Sequence, residues 1–354
     1  MLIRDLEFFS VAIPSPVETP GDRNGTRSLI VRLVSHVGIE GWGEAVDTAM
    51  PLENLLPLRN QLLPVLMGRS VFDLEELVRL DLQRFGPIRF ALEMACWDMM
   101  GRLCKQPICR FLGGEYRSHI PMTVQLAGQT PNELAAASQE LANRGYHWQS
   151  LLLTGRLDDD LHLIHQVLDA AHHRVELRVD AAGQYEHDDC VKLLAALEKH
   201  GISLLIDPLR DATQQQIATL QSHTALPLGV RKGMDSARDV LDLGGFDNLA
   251  WLILEPQRLG SLLELRKCAD IAETLGIHCA VCSSASVGLM TAAMIQLAAA
   301  LPALTHGLHI VPGHINAGIL KDPFDMSGGL LRLPLGPGLG IDIDRTKLER
   351  FLIA

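Results

Sequence analysis

Asp180, Asp207, Lys232 and Glu255 each close a short apolar run: Leu-Arg-Val-Asp, Leu-Leu-Ile-Asp, Leu-Gly-Val-Arg-Lys and Trp-Leu-Ile-Leu-Glu. The gaps between them are 27, 25 and 23 residues, and Ser284 lies 29 residues further on. That is the beat of repeated strand-plus-helix units, each delivering one side chain to a strand's carboxyl end. In a closed parallel barrel those ends share one face, where the active site sits. Carboxylates there can hold a hard cation or take a proton, and a lysine can stabilise a developing anion.

The elements that must position these residues follow from periodicity. Residues 1–12 and 27–45 read as strands of a small antiparallel sheet, and the Pro- and Gly-rich stretch 14–24 between them reads as a mobile loop. Helical patterns follow at 52–66, 73–84 and 87–103. From about residue 120, strands at 120–126, 149–154, 175–180, 203–207, 227–231, 250–254 and 277–282 alternate with helices at 131–144, 158–172, 187–200, 212–223, 235–243, 260–275 and 288–300. This many alternating units favours a parallel barrel over an open sheet. The predicted organisation is an α+β capping domain (1–118), a barrel (119–319) and a C-terminal segment returning to the cap (320–354).

Composition sets the bounds. The chain has 354 residues, enough for one large domain or two ordinary ones, and 47% hydrophobic residues to fill a core. A net charge of −11 with no long basic run argues against nucleic acid. Seven cysteines at irregular spacing read as reduced thiols in a cytoplasm. No apolar stretch reaches the roughly 18 residues of a membrane span. No phosphate loop is expected at Gly113-Gly114 or Gly336–Gly340.

Four spaced motifs carry a resemblance. They are Gly41-Trp-Gly-Glu-Ala45, Ala91-Leu-Glu-Met-Ala-Cys-Trp-Asp-Met-Met-Gly101, Ile253-Leu-Glu-Pro-Gln-Arg-Leu-Gly-Ser-Leu-Leu263 and Gly336-Pro-Gly-Leu-Gly340. In this order they resemble the enolase superfamily in its muconate-lactonizing branch, with an o-succinylbenzoate synthase-like strand. The resemblance implies a modified (β/α)7β TIM-type barrel under a capping domain. It also implies Mg²⁺ on three carboxylates at successive strand ends, with a barrel lysine removing the proton α to a carboxylate.

The departures fall on that chemistry. The branch's Lys-x-Lys strand matches Leu151-Leu-Leu153, an apolar wall with no base. Asp180 and Asp207 match the first two metal ligands, but the third position falls on Lys232, preceded by Arg231. The lysine of the opposite strand falls on Glu255, and the carboxylate of the last strands on Ser284. Mg²⁺ with three carboxylates sums to −1, as do Asp180, Asp207 and Lys232 without a metal. Adding Mg²⁺ to that trio sets a divalent ion beside an ammonium, at about 8 kcal/mol of repulsion for 4 Å and an effective dielectric of 20. The expectation is therefore a relic site with no cofactor, in which the Lys232 ammonium bridges Asp180 and Asp207; Mg²⁺ is the alternative.

Each residue has a plainer reading beside this one. Strand neighbours point opposite ways, so Arg231 could face inward instead of Lys232. Glu255 could pair with Arg258 or Lys232, Leu151 and Leu153 could be core filling, and Ser284 could bond backbone. His306, His309 and His314 cluster near the barrel loops and could move a proton or simply be solvated. His162, His165, His172 and His173 read as a solvated helix face.

Three functions remain open on sequence alone. One is a small-carboxylate-binding pseudoenzyme, with Arg23 or Arg27 from the N-terminal part as added cations and Ser284 or His306 near the ligand. The second is an altered acid/base enzyme using Glu255 and Lys232. The third is a metal-dependent cycloisomerase, o-succinylbenzoate synthase or amino-acid or dipeptide racemase. A small carboxylate partner and a homo-oligomer are expected in each case.

Overall fold

The computed structural model describes residues 1–14, 25–79, 86–245, 249–282, 286–305, 307–310 and 318–353. Strands β1 (Ile3–Ile13), β2 (Thr26–Ser35) and β3 (Glu40–Val46) form an antiparallel sheet in that order. Helix α1 (Leu52–Leu66) buries Leu55, Leu58, Leu62 and Leu66, a three-four-four spacing that makes one apolar stripe. The short helix α2 (Leu74–Val78) and the long helix α3 (Gly86–Cys104) complete the cap. The predicted 73–84 helix thus survives as α2, and its remainder runs into residues outside those described.

The two glycines of Gly41-Trp-Gly-Glu are there for a close crossing. A Cβ on Gly41 would lie 2.0 Å from the Ala95 carbonyl oxygen, and one on Gly43 would lie 1.9 Å from that of Ala91. Alternate strand residues therefore press on successive turns of α3, and no side chain fits between. Gly43→Ala is expected to lower stability by about 2–3 kcal/mol in urea denaturation, because the clash is with backbone and cannot rotate away.

The charged residues of the same motifs fasten the layers. Glu44 accepts hydrogen bonds from Ser28 Oγ, from Val287 N at 2.7 Å and from Met290 N at 3.0 Å. It thereby serves the amino end of a barrel helix, where backbone N–H groups lack partners. Glu93 does the same for another barrel helix through Leu262 N and Leu263 N. Asp98 accepts from Trp42 N, Arg102 Nε and Leu339 N, joining sheet, helix and C-terminal segment. Burial pushes the carboxyls of Glu44 and Glu93 up, while these N–H groups pull them back.

Parallel strands β4 (His119–Gln125), β5 (Trp148–Leu152), β6 (Glu176–Asp180), β7 (Leu204–Ile206), β8 (Leu228–Val230), β9 (Trp251–Leu254), β10 (His278–Cys282) and β11 (Leu308–Ile310) pair in sequence order. The β11–β4 pairing closes them into a barrel. Each connection between successive strands carries helix, from α4 (Pro131–Asn143) after β4 to α11 (Leu289–Ala300) after β10. Seven of these strands were legible in the sequence, and the three-residue β11 was not. Beyond the barrel, β12 (Met326–Ser327) and β13 (Leu330–Arg332) lie along β4, and α12 (Arg345–Arg350) leads the chain back to β1.

Side-chain alternation divides the barrel into two cores. Leu177, Val179, Leu205, Leu228, Val230, Leu252 and Leu254 face outward into the large core shared with the helices. Leu204, Ile206, Trp251, Ile253 and Ala280 form a separate small core inside. No helix among the described residues is long and apolar enough to cross a membrane.

Candidate active site

Because Leu228 and Val230 face the helices, Gly229 and then Arg231 must face the barrel axis. The structure bears this alternation out and corrects the expected placement of Lys232. The Arg231 guanidinium lies among the strand-end carboxylates: Nη1 donates to Asp180 Oδ2 at 2.6 Å and Nη2 to Asp180 Oδ1 at 3.2 Å. Its Nε is 3.3 Å from Asp207 Oδ2 and 3.6 Å from Glu255 Oε1. Its backbone N–H also donates to Asp207 Oδ1 at 2.9 Å. Lys232 turns the other way: it is exposed, and its Nζ donates to the Ala182 carbonyl at 2.6 Å, against Gly183. One residue of register separates the expected ammonium from the observed guanidinium.

Asp180 ends β6, Asp207 follows β7 and Glu255 follows β9, so three strand ends bring three carboxylates around one cation. Glu255 lies between two arginines, with Arg258 Nε at 3.7 Å, and it retains 27% of its side-chain exposure. Asp239, seven residues beyond Lys232, is occupied at a helix start, where its carboxylate accepts from Asp235 N and Ser236 Oγ.

The other expected site residues fare differently. Leu151 shares its strand face with Gln149, whose side chain bonds Ser138 on α4, so Leu151 packs toward the helices. Leu153, one residue past the strand end, is buried in that same outer core. Neither forms the expected pocket wall; the residue in register with Asp180 is Leu152. Arg27 is exposed on β2, on the face opposite Ser28. Arg23, Ser284, His306 and His314 lie outside the described residues.

Burial is the largest influence on Asp180 and pushes its carboxyl above the ordinary range, with Arg231 and the Ala182 N–H pulling back. Glu255 is raised too, chiefly by burial and further by Asp207 and Asp180, against Arg231 and Arg258. Burial works against the charge on Arg231, but Asp180 and Asp207 outweigh it and hold the guanidinium firmly charged. The half-buried Cys282, beside Arg231, is pushed up to about 12 and is a neutral thiol. His309 ends up inside the barrel and not on a surface loop; burial, then Arg178 and Arg231, lower it to about 3, so it is neutral.

These residues do not fit the Mg²⁺ that the resemblance implies. That ion takes oxygens at about 2.1 Å. Both Asp180 oxygens instead receive guanidinium N–H groups, and the space between Asp180 and Asp207 is filled by an arginine that cannot lose its charge. Among the described residues, no three His, Cys, Asp or Glu side chains are grouped to hold a metal. The cluster itself sums to −2, with three carboxylates against one guanidinium.

Two inward residues escaped the sequence reading. Arg178 sits two positions before Asp180 and hence on the same strand face, a signal that alternation offered. Thr123, the register partner of His309, is fully buried on β4.

Residues 133–347 match the model of the enolase C-terminal domain-like family, and residues 4–113 match the mandelate racemase / muconate lactonizing enzyme N-terminal domain. An N-succinyl-L-Arg/Lys racemase of Bacillus cereus is 24% identical, the match covering 97% of this chain and 96% of that one. An o-succinylbenzoate synthase of Geobacillus kaustophilus is 27% identical, covering 91% and 88%. A 2-chloromuconate cycloisomerase of Rhodococcus opacus superposes with a TM-score of 0.90 at 21% identity, over 100% of both chains, a likeness of fold.

Proposed function

Because the chain belongs to the mandelate racemase / muconate lactonizing enzyme family, we propose that it is a divergent member that handles a small carboxylate with a resident guanidinium in place of a divalent ion. The observation that supports this reading is the Arg231 side chain, bidentate on Asp180 and within 4 Å of Asp207 and Glu255. The relatives named as racemase and o-succinylbenzoate synthase point to small carboxylates as the ligand class.

The chemistry follows from the donors. Arg231 has five N–H groups; three are spent on Asp180 and toward Asp207 and Glu255 and a fourth meets the Cys282 sulfur, which leaves one for a ligand oxygen. Glu255, whose carboxyl is raised by burial and partly exposed, is the group positioned to take a proton. The C–H bond α to the ligand carboxylate breaks, its proton goes to Glu255 Oε, and the electron pair enters the enolate. The guanidinium meets the charge that develops on the enolate oxygen. Return of the proton completes an isomerisation. Asp180 and Asp207 fix the guanidinium and do not touch the ligand. Lys232 is left at the rim, with no part in the proton transfer.

The second reading is a conventional metal-dependent cycloisomerase, synthase or racemase, which the names of the relatives support. One experiment separates the two. Purified protein is assayed for bound metal, then incubated with N-acyl amino acids, dipeptides and muconate-type acids in D₂O, with and without EDTA. Exchange that survives EDTA, rises with pH through the Glu255 titration and disappears in Glu255→Gln supports the resident-guanidinium enzyme. Stoichiometric Mg²⁺ with EDTA-sensitive exchange overturns it in favour of the conventional reaction. Carboxylate binding with no exchange in any condition leaves a binding protein and removes the catalytic role of Glu255.

A further inference from the structure

The interior of the barrel is apolar on one side only. Its small inner core draws on β7, β9 and β10, through Leu204, Ile206, Trp251, Ile253 and Ala280. Around the rest of the ring, four neighbouring strands β11, β4, β5 and β6 turn inward His309, Thr123, Ser150 and Arg178. Their inward direction follows from alternation: Leu308, Ile310, Met122, Val124, Leu151, Leu177 and Val179 on the same strands all pack outward.

This polar sector is buried and incomplete. Arg178 is 5% exposed, yet among the described residues it has no hydrogen bond or ion pair. Its guanidinium only lies over the rings of Trp148 at 5.9 Å and Trp251 at 5.4 Å. Thr123 Oγ1 and His309 Nε2 are fully enclosed and, among the described residues, lack hydrogen-bond partners. The carboxylates one layer above face Arg231, and the one negative charge that acts on Arg178 is Glu176, two residues earlier on β6, which is exposed to solvent and makes no ion pair with it. A buried cation without a hydrogen-bonded counter-charge is costly, as is each orphaned polar atom. Three such groups within one run of four neighbouring strands therefore call for one shared partner that is negative and accepts hydrogen bonds.

We propose that this sector binds a small monovalent inorganic anion of halide size, contacted by the Arg178 guanidinium and by the Thr123 hydroxyl and His309 Nε2–H. The tryptophan rings wall the guanidinium and exclude a larger anion. The site lies beneath the Arg231 cluster and is independent of whether Glu255 takes a proton.

The test uses the intact chain purified in sodium gluconate, whose anion is too large to enter, with bromide as the probe at constant ionic strength. Bromide is expected to raise the melting temperature saturably by about 3–5 °C over gluconate. Crystals grown in bromide are expected to give an anomalous peak between Arg178, Thr123 and His309. Arg178→Met removes the bromide-dependent rise, and Thr123→Val weakens bromide at least about threefold. No anomalous peak in the sector, with density for water only, overturns the proposal, as does an Arg178→Met variant with the full rise. If Arg178→Met does not fold, the diffraction result and Thr123→Val decide.

Discussion

Replacing Arg231 with methionine is expected to lower stability by about 3–5 kcal/mol at pH 7, the usual cost of removing one partner of a buried ion cluster. Methionine keeps much of the length but removes the only cation that the described residues place between Asp180 and Asp207. Three carboxylates are then left facing one another, two of them with side chains 7% and 5% exposed. Protonation is the remedy, so the folded pKa values of Asp180 and Glu255, already raised by burial, rise further above the unfolded ones. Groups raised in this way favour the fold below the unfolded pKa and cost stability as pH rises through the folded pKa. The penalty in Arg231→Met should accordingly shrink toward pH 4.5, and urea denaturation at the two pH values checks it. Arg231→Lys should lie between, since an ammonium lacks the fork that grips Asp180. Lys232→Met, one residue away, should change stability by no more than about 0.5 kcal/mol. Equal losses at 231 and 232, or a penalty independent of pH, would contradict the observed register.

That contrast also marks what the sequence could and could not reveal. The strand-end positions Asp180, Asp207 and Glu255 were legible because each ends an apolar run at a regular interval. Choosing between Arg231 and Lys232 needed the strand's own parity. Leu228 and Val230 are the outward residues of a three-residue strand, and parity puts Arg231 inward. Motif spacing pointed to Lys232, because it counts residues along the chain and is blind to which way the last one turns. The same parity places Leu151 with Gln149 on the helix side. Arg178 was hidden for a related reason. A charged residue inside a strand reads as a surface position unless the strand is known to be enclosed, and enclosure depends on β11 closing against β4, a contact between residues almost two hundred apart. The cap motifs were read correctly as family features, but their physical content appears only with the third dimension. Glu44, Glu93 and Asp98 lie far in sequence from the backbone N–H groups they satisfy, and Gly41 and Gly43 answer to a helix some fifty residues later.

The second large effect is a loss of stability in acid that belongs to His309. Its side chain is enclosed between strands β10 and β4, 7% exposed, with Arg178 and Arg231 as the charges that act on it, Thr123 and Cys282 as its register partners and, among the described residues, no carboxylate bound to it. Burial and the two arginines lower it from 6.5 to about 3. A group depressed in this way contributes stability above its unfolded pKa and loses it as pH falls toward the folded value. The window is therefore pH 6.5 down to about 3, the histidine alone costing about 1.4 kcal/mol per unit within it. By pH 4.5 that amounts to about 2–3 kcal/mol. Other carboxylates titrate in the same range, so the quantity to measure is a difference: the fall in unfolding free energy from pH 7 to 4.5 in the wild type, less the fall in His309→Gln. Glutamine keeps a polar group in the sector but takes up no proton. The difference should be largest in gluconate. It should shrink in bromide, because an anion beside Arg178 offsets the positive field that the imidazolium would meet. Identical acid slopes for wild type and His309→Gln would mean that His309 protonates without penalty, and that the interior of the barrel is far more open to water than its packing indicates.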